Sequence, residues 1–489
     1  MKKKPMNLKG VGDEVDRLSQ LPDDILLASL DQLDARDAAR TGILASRWRQ
    51  LPAMVSRLCI DCSQFLPANE SHYPIDEIPR INALVVEAPK SMLSRRDPDG
   101  HAIRSIAVTF FLIDHDHIII GQNVGRALAR NAVETAEFTI LTDMVDDELE
   151  DIDLFDYGWK LVRFVDACPD AFAGLTSLVL ENLRFCSEED VDNVLSTCAR
   201  LRHLHMRNCD SRIFWILRVE HLQLIELTID NCGFERLELS RLPKLRQLSF
   251  KGWISFEDPI YFGAVPLLEV VSLSNTCLNW HEVVKLSEFL WNTSVHNLIL
   301  EFNSEKIWIQ PEVPMSLTSV FSKLRVVHLL KLPEGVDLAW TIHAVAGGVV
   351  LECVGSHMRD GDGREDKDSY SEEKGVELGW ATPAAVGFEH RSLASLVIFG
   401  FQSKDYLVRY VRHVMKVAVN LVAVYLYGRM ACEECKDEFP GRFRYPTTKR
   451  QRWSLRNRIA DGTGSLATIL FPDATRPIIF EDVFRSIIL

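Results

Sequence analysis

The chain has 489 residues, which is long for one compact core and predicts two or more folding units or one extended repeat array. Hydrophobic residues make up 47% of it, and 55 basic against 69 acidic residues give a net charge of -14, so nucleic acid is not expected as a partner. No apolar run is long enough for a signal peptide or a membrane span, and the 11 scattered cysteines suit buried thiols, so we expect a protein of the nucleus or cytoplasm.

The N-terminal region predicts three short helices behind a flexible segment at residues 1–15. Apolar residues recur at helical spacing from Leu18 to Leu33, with Pro22 suited to the first helical position. A second helix is expected after the capping residue Asp34, and a third short one holds Trp48. Helices this short cannot bury all their large apolar side chains against one another, so a binding partner is predicted.

Three motifs in this region carry a family resemblance: Leu21-Pro22-Asp23-Asp24-Ile25-Leu26, Ala38-Ala39-Arg40-Thr41 and Arg47-Trp48-Arg49-Gln50-Leu51. They resemble the F-box of plant-type F-box proteins, which we place at residues 16–54. The resemblance implies docking on a Skp-type adaptor and, through it, on a cullin. It assigns adaptor contacts to Leu21, Pro22, Ile25, Leu26, Leu30, Leu33, Arg47 and Trp48. The family commonly has a basic residue directly before Arg-Trp, where this chain has Ser46. The alternative is a generic three-helix bundle whose Leu-Pro and Trp residues fill its own core.

After a linker and first strand at residues 55–100, the template Leu-x-x-Leu-x-Leu-x-x-Asn/Cys recurs along the chain. The central residues of the clear copies are Leu178, Leu204, Leu227, Leu248, Val271, Leu298 and Val327, and those of weaker copies are Ile106, Ala136, Leu396 and Val424. The clear copies are 26, 23, 21, 23, 27 and 29 residues apart, which are typical periods of a leucine-rich-repeat solenoid. We place this solenoid at residues 101–430, with a further strand near 349–354.

An F-box followed by irregular leucine-rich repeats resembles the plant F-box/LRR class, some members of which have an FBD-type C-terminal region. The resemblance implies an α/β fold in which a three-helix F-box precedes the repeat solenoid. It also implies a non-catalytic subunit of an SCF (Skp-cullin-F-box) ubiquitin ligase, whose repeats bind an unknown protein substrate. An interaction scaffold without ubiquitin transfer and a small-molecule-dependent receptor are the alternatives.

The sequence contains no motif that is typical of an enzyme active site, a cofactor site or a metal site. Cys432 and Cys435 have zinc-like spacing, but no second cysteine pair follows at a suitable distance. Cys209 and Cys232 are expected to be turn residues of repeats. We therefore expect no catalytic residue, no metal and no cofactor.

Charged segments interrupt this pattern. Inserts near 143–156 and 359–374 are rich in charge and predict solvated loops that could touch a basic substrate. The C-terminal region, 431–489, contains one basic cluster: Arg442, Arg444, Lys449, Arg450, Arg452, Arg456 and Arg458. It could bind an anion, since hormone-sensing F-box/LRR proteins hold an inositol phosphate with basic residues. Ion pairing with the acidic loops is the favoured interpretation, because basic residues near a domain end commonly form surface ion pairs.

Overall fold

The computed structural model divides the chain into two compact units, Met1–Leu183 with Asn193–Leu201 and Arg184–Asp192 with Arg202–Leu489. The residues that it describes are 21–43, 46–66, 73–94, 102–113, 115–130, 133–144, 149–211, 215–254, 258–276, 283–303, 307–310, 312, 320, 323–332, 338, 341, 348–353, 389–428 and 445–472. The predicted insert at 359–374 lies outside them, as do Cys432, Cys435, Arg442 and Arg444.

The α-helices are α1 Asp23–Leu30, α2 Ala35–Arg40, α3 Ile78–Ser94, α4 Asp116–Arg130, α5 Asp151–Ala167, α6 Pro169–Gly174, α7 Glu188–Thr197, α8 Leu286–Phe289, α9 Asp405–Val417 and α10 Lys449–Ala460. The strands are β1 Arg57–Asp61, β2 Ser105–Phe111, β3 Thr135–Leu141, β4 Ser177–Glu181, β5 Arg184–Phe185, β6 His203–Arg207, β7 Asp210–Ser211, β8 Ile216–Glu220, β9 Glu226–Asp230, β10 Arg236–Arg241, β11 Gln247–Lys251, β12 Ile260–Ala264, β13 Val270–Asn275, β14 Asn297–Phe302, β15 Val326–Leu332, β16 Gly348–Cys353, β17 Ser395–Phe399, β18 Ala423–Leu426 and β19 Thr468–Leu470. Short 3-10 turns lie at Thr41–Ile43, Ser46–Arg49, Leu51–Met54, Cys62–Phe65 and Ile75–Glu77. No helix among the described residues is long and apolar enough to cross a membrane.

The N-terminal segment of the first unit folds much as the sequence predicts. α1 begins directly after Pro22, and the Asp34 side chain caps α2 by accepting a hydrogen bond from the Asp37 N–H at 2.7 Å. The third predicted helix is instead a pair of 3-10 turns on either side of Gln50. These elements enclose a small core of Leu26, Leu27, Leu30, Ala38, Trp48, Leu51 and Val55.

Four parallel strands, in the order β1-β2-β3-β4, form the sheet of the first unit. Ile106 pairs with Ala136, so the weak upstream copies of the repeat are confirmed as strands that are in register with each other. The residue that pairs with Leu178 is Phe138 and not Ala136, so the predicted template is two residues out of register at this step. Behind the sheet, α4, α5 and α6 pack on one another. An aromatic cluster joins the sheet to two of these helices: Phe110 of β2 and Phe138 of β3 contact Phe164 of α5, and Phe138 also contacts Phe172 of α6. A Cβ on Gly121 would lie 2.5 Å from the Phe164 ring, so this position of α4 has no room for a side chain.

The predicted acidic loop at 143–156 is wrong in its second half, because α5 starts at Asp151. A reciprocal pair of hydrogen bonds between Glu150 and Asp153 caps this helix, and its first turn carries acidic residues that favour a helix N-terminus. The many charged residues of this segment indicate exposure to solvent. They do not show whether the exposed segment is a loop or the surface of a helix.

In the second unit, ten parallel strands form one sheet in the order β6-β9-β11-β13-β14-β15-β16-β17-β18-β19. The central residues of the predicted repeats lie in one continuous register: Leu204, Leu227, Leu248, Val271, Leu298 and Val327. β16 confirms the predicted strand near 349–354, and β19 adds a strand from the C-terminal region. The predicted fold class, an α/β protein with leucine-rich repeats, is confirmed.

The chain turns sharply after several of these strands. Asn208, Asn231 and Gly252 each follow a strand and have φ values of 48°, 49° and 69°. Asparagine and glycine tolerate this left-handed conformation better than other residues, which explains why they close the repeat. Cys232 serves the next turn position, where its sulfur accepts a hydrogen bond from the Cys209 N–H at 3.3 Å.

Two smaller parallel sheets, β12-β10-β8 and β5-β7, were not predicted. Their strands follow those of the main sheet in the chain and have the same alternating burial, as in β8 and β10. The repeat template describes only the Leu-rich strand of each unit. The template therefore does not predict the structure of the segment that connects one Leu-rich strand to the next.

Candidate functional site

Three of the predicted adaptor contacts belong to the interior of the N-terminal domain. Leu26, Leu30 and Trp48 are buried, and Trp48 has only 5% of its surface exposed. They pack on one another with Leu27 and Leu51. In the free protein these side chains hold α1, α2 and the two 3-10 turns together, so they stabilise this segment.

Other members of the predicted set are exposed. Ile25 and Leu33 have 47% and 42% of their surface in solvent, and Pro22 is exposed at the start of α1, whereas Leu21 is partly buried against the core. Ile43 is a further candidate contact that the sequence analysis did not assign to the site, because it is a large apolar side chain that is 86% exposed. Its position beside Gly42, at the end of the second helical segment, is the sequence signal that could have marked it as lying outside the core.

Arg47, the remaining predicted contact, points away from the core. Its guanidinium group donates to Asp23 Oδ1 from Nε at 3.0 Å and from Nη2 at 2.5 Å. Both side chains are substantially exposed, so the pair contributes no more than about 1 kcal/mol to stability. It ties the segment before Trp48 to the first turn of α1.

The N-terminal domain joins the first strand of the sheet through Asp31. Its carboxylate accepts hydrogen bonds from the Ser56 N–H at 2.8 Å, from the Ser56 hydroxyl at 2.7 Å and from the Arg57 N–H at 3.2 Å. The Arg36 guanidinium donates to the Gln64 carbonyl and lies 5.9 Å from the centre of the Phe65 ring. The end of α1 is therefore anchored directly to the start of β1.

One row of polar side chains runs across the strands of the second unit. Lys251 pairs with Asp230 at 3.3 Å, and Lys331 pairs with Glu301 at 2.7 Å. Burial tends to raise the pKa of Glu301, but hydrogen bonds from Lys331 and Ser274 hold it below its ordinary value. On the neighbouring row, burial lowers the pKa of His328 to about 4, so this imidazole is neutral at pH 7.

The described part of the basic cluster forms α10. Thr448 and Gln451 cap its N-terminus with reciprocal hydrogen bonds. Arginine side chains attach the helix to its surroundings through backbone carbonyls: Arg452 to Pro446 at 3.1 Å, Arg456 to Ile469 at 2.9 Å and Arg458 to Ser403 at 3.1 Å. Arg456 also lies 5.3 Å from the centre of the Phe471 ring. Lys449 and Arg450 are exposed.

Within the described ranges, no three His, Cys, Asp or Glu side chains are grouped so that they could hold a metal ion. Burial raises the pKa of the Cys62 thiol to about 12 and that of Cys198 to about 12, so both are protonated thiols of the core.

Comparison with known proteins agrees with this architecture. The F-box domain model matches residues 18–59, and the model described as "At1g61320/AtMIF1, LRR domain" matches residues 167–450, more than half of the chain. These two domains in this order define the F-box/leucine-rich-repeat class. The chain belongs to the F-box/LRR family of the At1g61320/AtMIF1 type. Members of this family are in general non-catalytic.

Several relatives come from Arabidopsis thaliana. The F-box/FBD/LRR-repeat protein At3g52680 is 28% identical over 319 residues, which cover 60% of this chain and 61% of that protein. The F-box/LRR-repeat protein At3g26922 is 27% identical over 305 residues, covering 60% of this chain and 91% of that protein. The F-box/FBD/LRR-repeat protein At5g53840 is 42% identical over 59 residues, or 12% of this chain and 13% of that protein. The chain thus spans about three fifths of the first of these relatives.

Proposed function

We propose that the protein is the substrate-recognition subunit of an SCF ubiquitin ligase in the nucleus or cytoplasm. Its F-box would dock on a Skp-type adaptor, which links it to a cullin, and its repeats would hold the protein to be ubiquitinated. F-box domains in general bind Skp-type adaptors. The observation that carries the proposal is the exposure of Ile25, Leu33 and Ile43 on a domain whose described residues already enclose a core of their own.

These three side chains supply the apolar area that an adaptor would cover. Full burial of one large aliphatic side chain contributes about 1.5–3 kcal/mol. Since Ile25 and Leu33 are already about half buried in the free protein and Ile43 is almost fully exposed, together they contribute on the order of 3–5 kcal/mol. Leu26, Leu30 and Trp48 support this surface from within, so they affect adaptor affinity through the fold of the domain.

In this role the protein makes and breaks no bonds. It raises the local concentration of substrate lysines near the conjugating enzyme, and two linked binding events of this kind reach effective concentrations on the order of millimolar. The gain depends on a fixed distance between the two bound proteins. The hydrogen bonds of Asp31 at the start of β1 support such fixed geometry within the first unit.

The test is co-purification of the full chain with the adaptor and cullin, comparing wild type with an Ile25→Asp, Ile43→Asp double variant. We expect the double variant to lose both partners while its thermal unfolding stays unchanged, because both positions are exposed. Ile152→Asp, at an isoleucine of α5 that is also exposed, is the matched control and should retain both partners. Absence of the adaptor from the wild-type sample would refute the proposal. A fluorescent fusion would check the nuclear or cytoplasmic location.

A further inference from the structure

Two helices of the second unit that are separated in sequence, α9 and α10, are rich in basic residues. α9 contains Arg409, Arg412 and Lys416, and α10 contains five more basic residues. The only carboxylate within these two helices is Asp405. The Arg412 guanidinium donates to the Arg458 carbonyl, so the two helices touch and their charges add.

An exposed aromatic side chain lies within this charge. Trp453 is 64% exposed on α10, with Arg450 three residues before it, Arg456 three residues after it and Lys449 four residues before it. Residues three and four apart are neighbours on the surface of a helix. Lys449, Arg450, Trp453 and Arg456 therefore form one basic face. An indole in water gains apolar contact when a partner covers it, which makes it a natural anchor of an interface.

A recess borders the side of α10 that faces away from Trp453, and its lining residue Ser454 lies one turn after Arg450. It has a volume of about 410 Å³ and is lined by Ser403, Tyr445, Gln451, Ser454 and Leu455, among others. The lining mixes hydroxyl, amide and apolar groups with the guanidinium group of Arg458. Such a recess can accept one apolar side chain of a bound segment that crosses the exposed surface of α10 at Arg450, where its carboxylates meet the basic face.

We propose that the basic face and this recess bind an acidic peptide segment of a partner protein, with one apolar side chain of the segment in the recess. The proposal is independent of the F-box and goes beyond the ligase function. A peptide is favoured over nucleic acid because the chain has a net charge of -14. A duplex carries one charge per about 1.7 Å and extends well beyond the local field. A short peptide interacts mainly with the charges that lie within one Debye length of it, about 8 Å at physiological salt.

The experiment measures fluorescence anisotropy of a labelled Glu/Asp peptide with one central Phe, titrated with the full chain. A Lys449→Glu, Arg450→Glu double variant and, separately, Trp453→Ala should each weaken binding by about tenfold or more, and a tenfold change equals 1.4 kcal/mol of binding free energy. Ser454→Phe should weaken it by filling the recess without changing charge. These positions avoid the arginines that hold α10 to the backbone.

The matched control is an exposed tryptophan–arginine pair on α5 of the first unit. Trp159 is 53% exposed with the Arg163 guanidinium 4.5 Å from the centre of one of its rings, but α5 carries four aspartates. Trp159→Ala with Arg163→Glu should leave peptide binding unchanged. Wild type that does not bind the peptide at physiological salt overturns the proposal. So does an equal loss in the α5 variant, no effect of Ser454→Phe, or tighter binding of an oligothymidine or of phosphatidylserine vesicles than of the peptide.

Discussion

Replacing Asp31 with alanine should loosen the joint between the F-box and β1. The change removes three hydrogen bonds to a carboxylate, two of them from the backbone N–H groups of Ser56 and Arg57. Hydrogen bonds to charged groups contribute about 1.5–3 kcal/mol each. Because Asp31 is only partly buried, water can replace part of the lost hydrogen bonding. We therefore expect the free energy of local opening at this joint to fall by about 2–3 kcal/mol in total.

Hydrogen–deuterium exchange at the two amides measures this directly. A loss of about 2–3 kcal/mol corresponds to exchange that is about 30- to 150-fold faster. Asp31→Asn keeps an acceptor oxygen but loses the charge, so the change should be on the order of fivefold. Asp24→Ala removes an exposed carboxylate from the same helix and serves as control. Unchanged exchange at Ser56 and Arg57 in Asp31→Ala, or equal acceleration in Asp24→Ala, would refute the reasoning.

Three further predictions concern stability. Trp48→Ala should destabilise the F-box by about 3–5 kcal/mol, seen as faster proteolysis of the N-terminal segment, because it empties a small core. Gly252→Ala should cost about 2–3 kcal/mol in urea unfolding, since φ is 69° and a Cβ would lie 2.3 Å from Asn231 Oδ1. His328 is buried, and its pKa falls from 6.5 to about 4 on folding. The contribution of the neutral His328 imidazole to the free energy of unfolding is therefore fully present above pH 6.5 and is lost as the pH falls toward 4. Between pH 7 and pH 4 the free energy of unfolding should therefore fall by about 2–3 kcal/mol less in His328→Leu than in wild type.

Each of these has an internal control. Gly464→Ala also requires a positive φ, of 70°, but its Cβ would meet nothing within 4 Å, so it should cost only about 1 kcal/mol. If both glycine variants cost the same, the contact with Asn231 is unimportant. A Trp48→Ala protein with wild-type protease resistance would show that the small core does not depend on the indole. Equal pH dependence of wild type and His328→Leu would exclude His328 as its source.

The sequence by itself determined the class of protein and most of the repeat strands. The Leu-x-x-Leu-x-Leu template is local, and each of its apolar positions must face inward in a parallel strand, so the predicted register of Leu204 to Val327 agrees with the structure. The same is true of the cap at Asp34, which depends on residues three positions apart.

Tertiary structure decided what local patterns leave open. Ile25 and Leu26 are neighbours with similar hydrophobicity, and only the packing of Trp48 against α1 decides that Leu26 is buried while Ile25 is exposed. The charges of α9 and α10 are separated in sequence and become one basic region only where the two helices touch through Arg412 and Arg458. A local pattern encodes which residues prefer to be buried. Which surfaces remain exposed, and which distant charges become neighbours, depends on contacts between elements that no local pattern specifies.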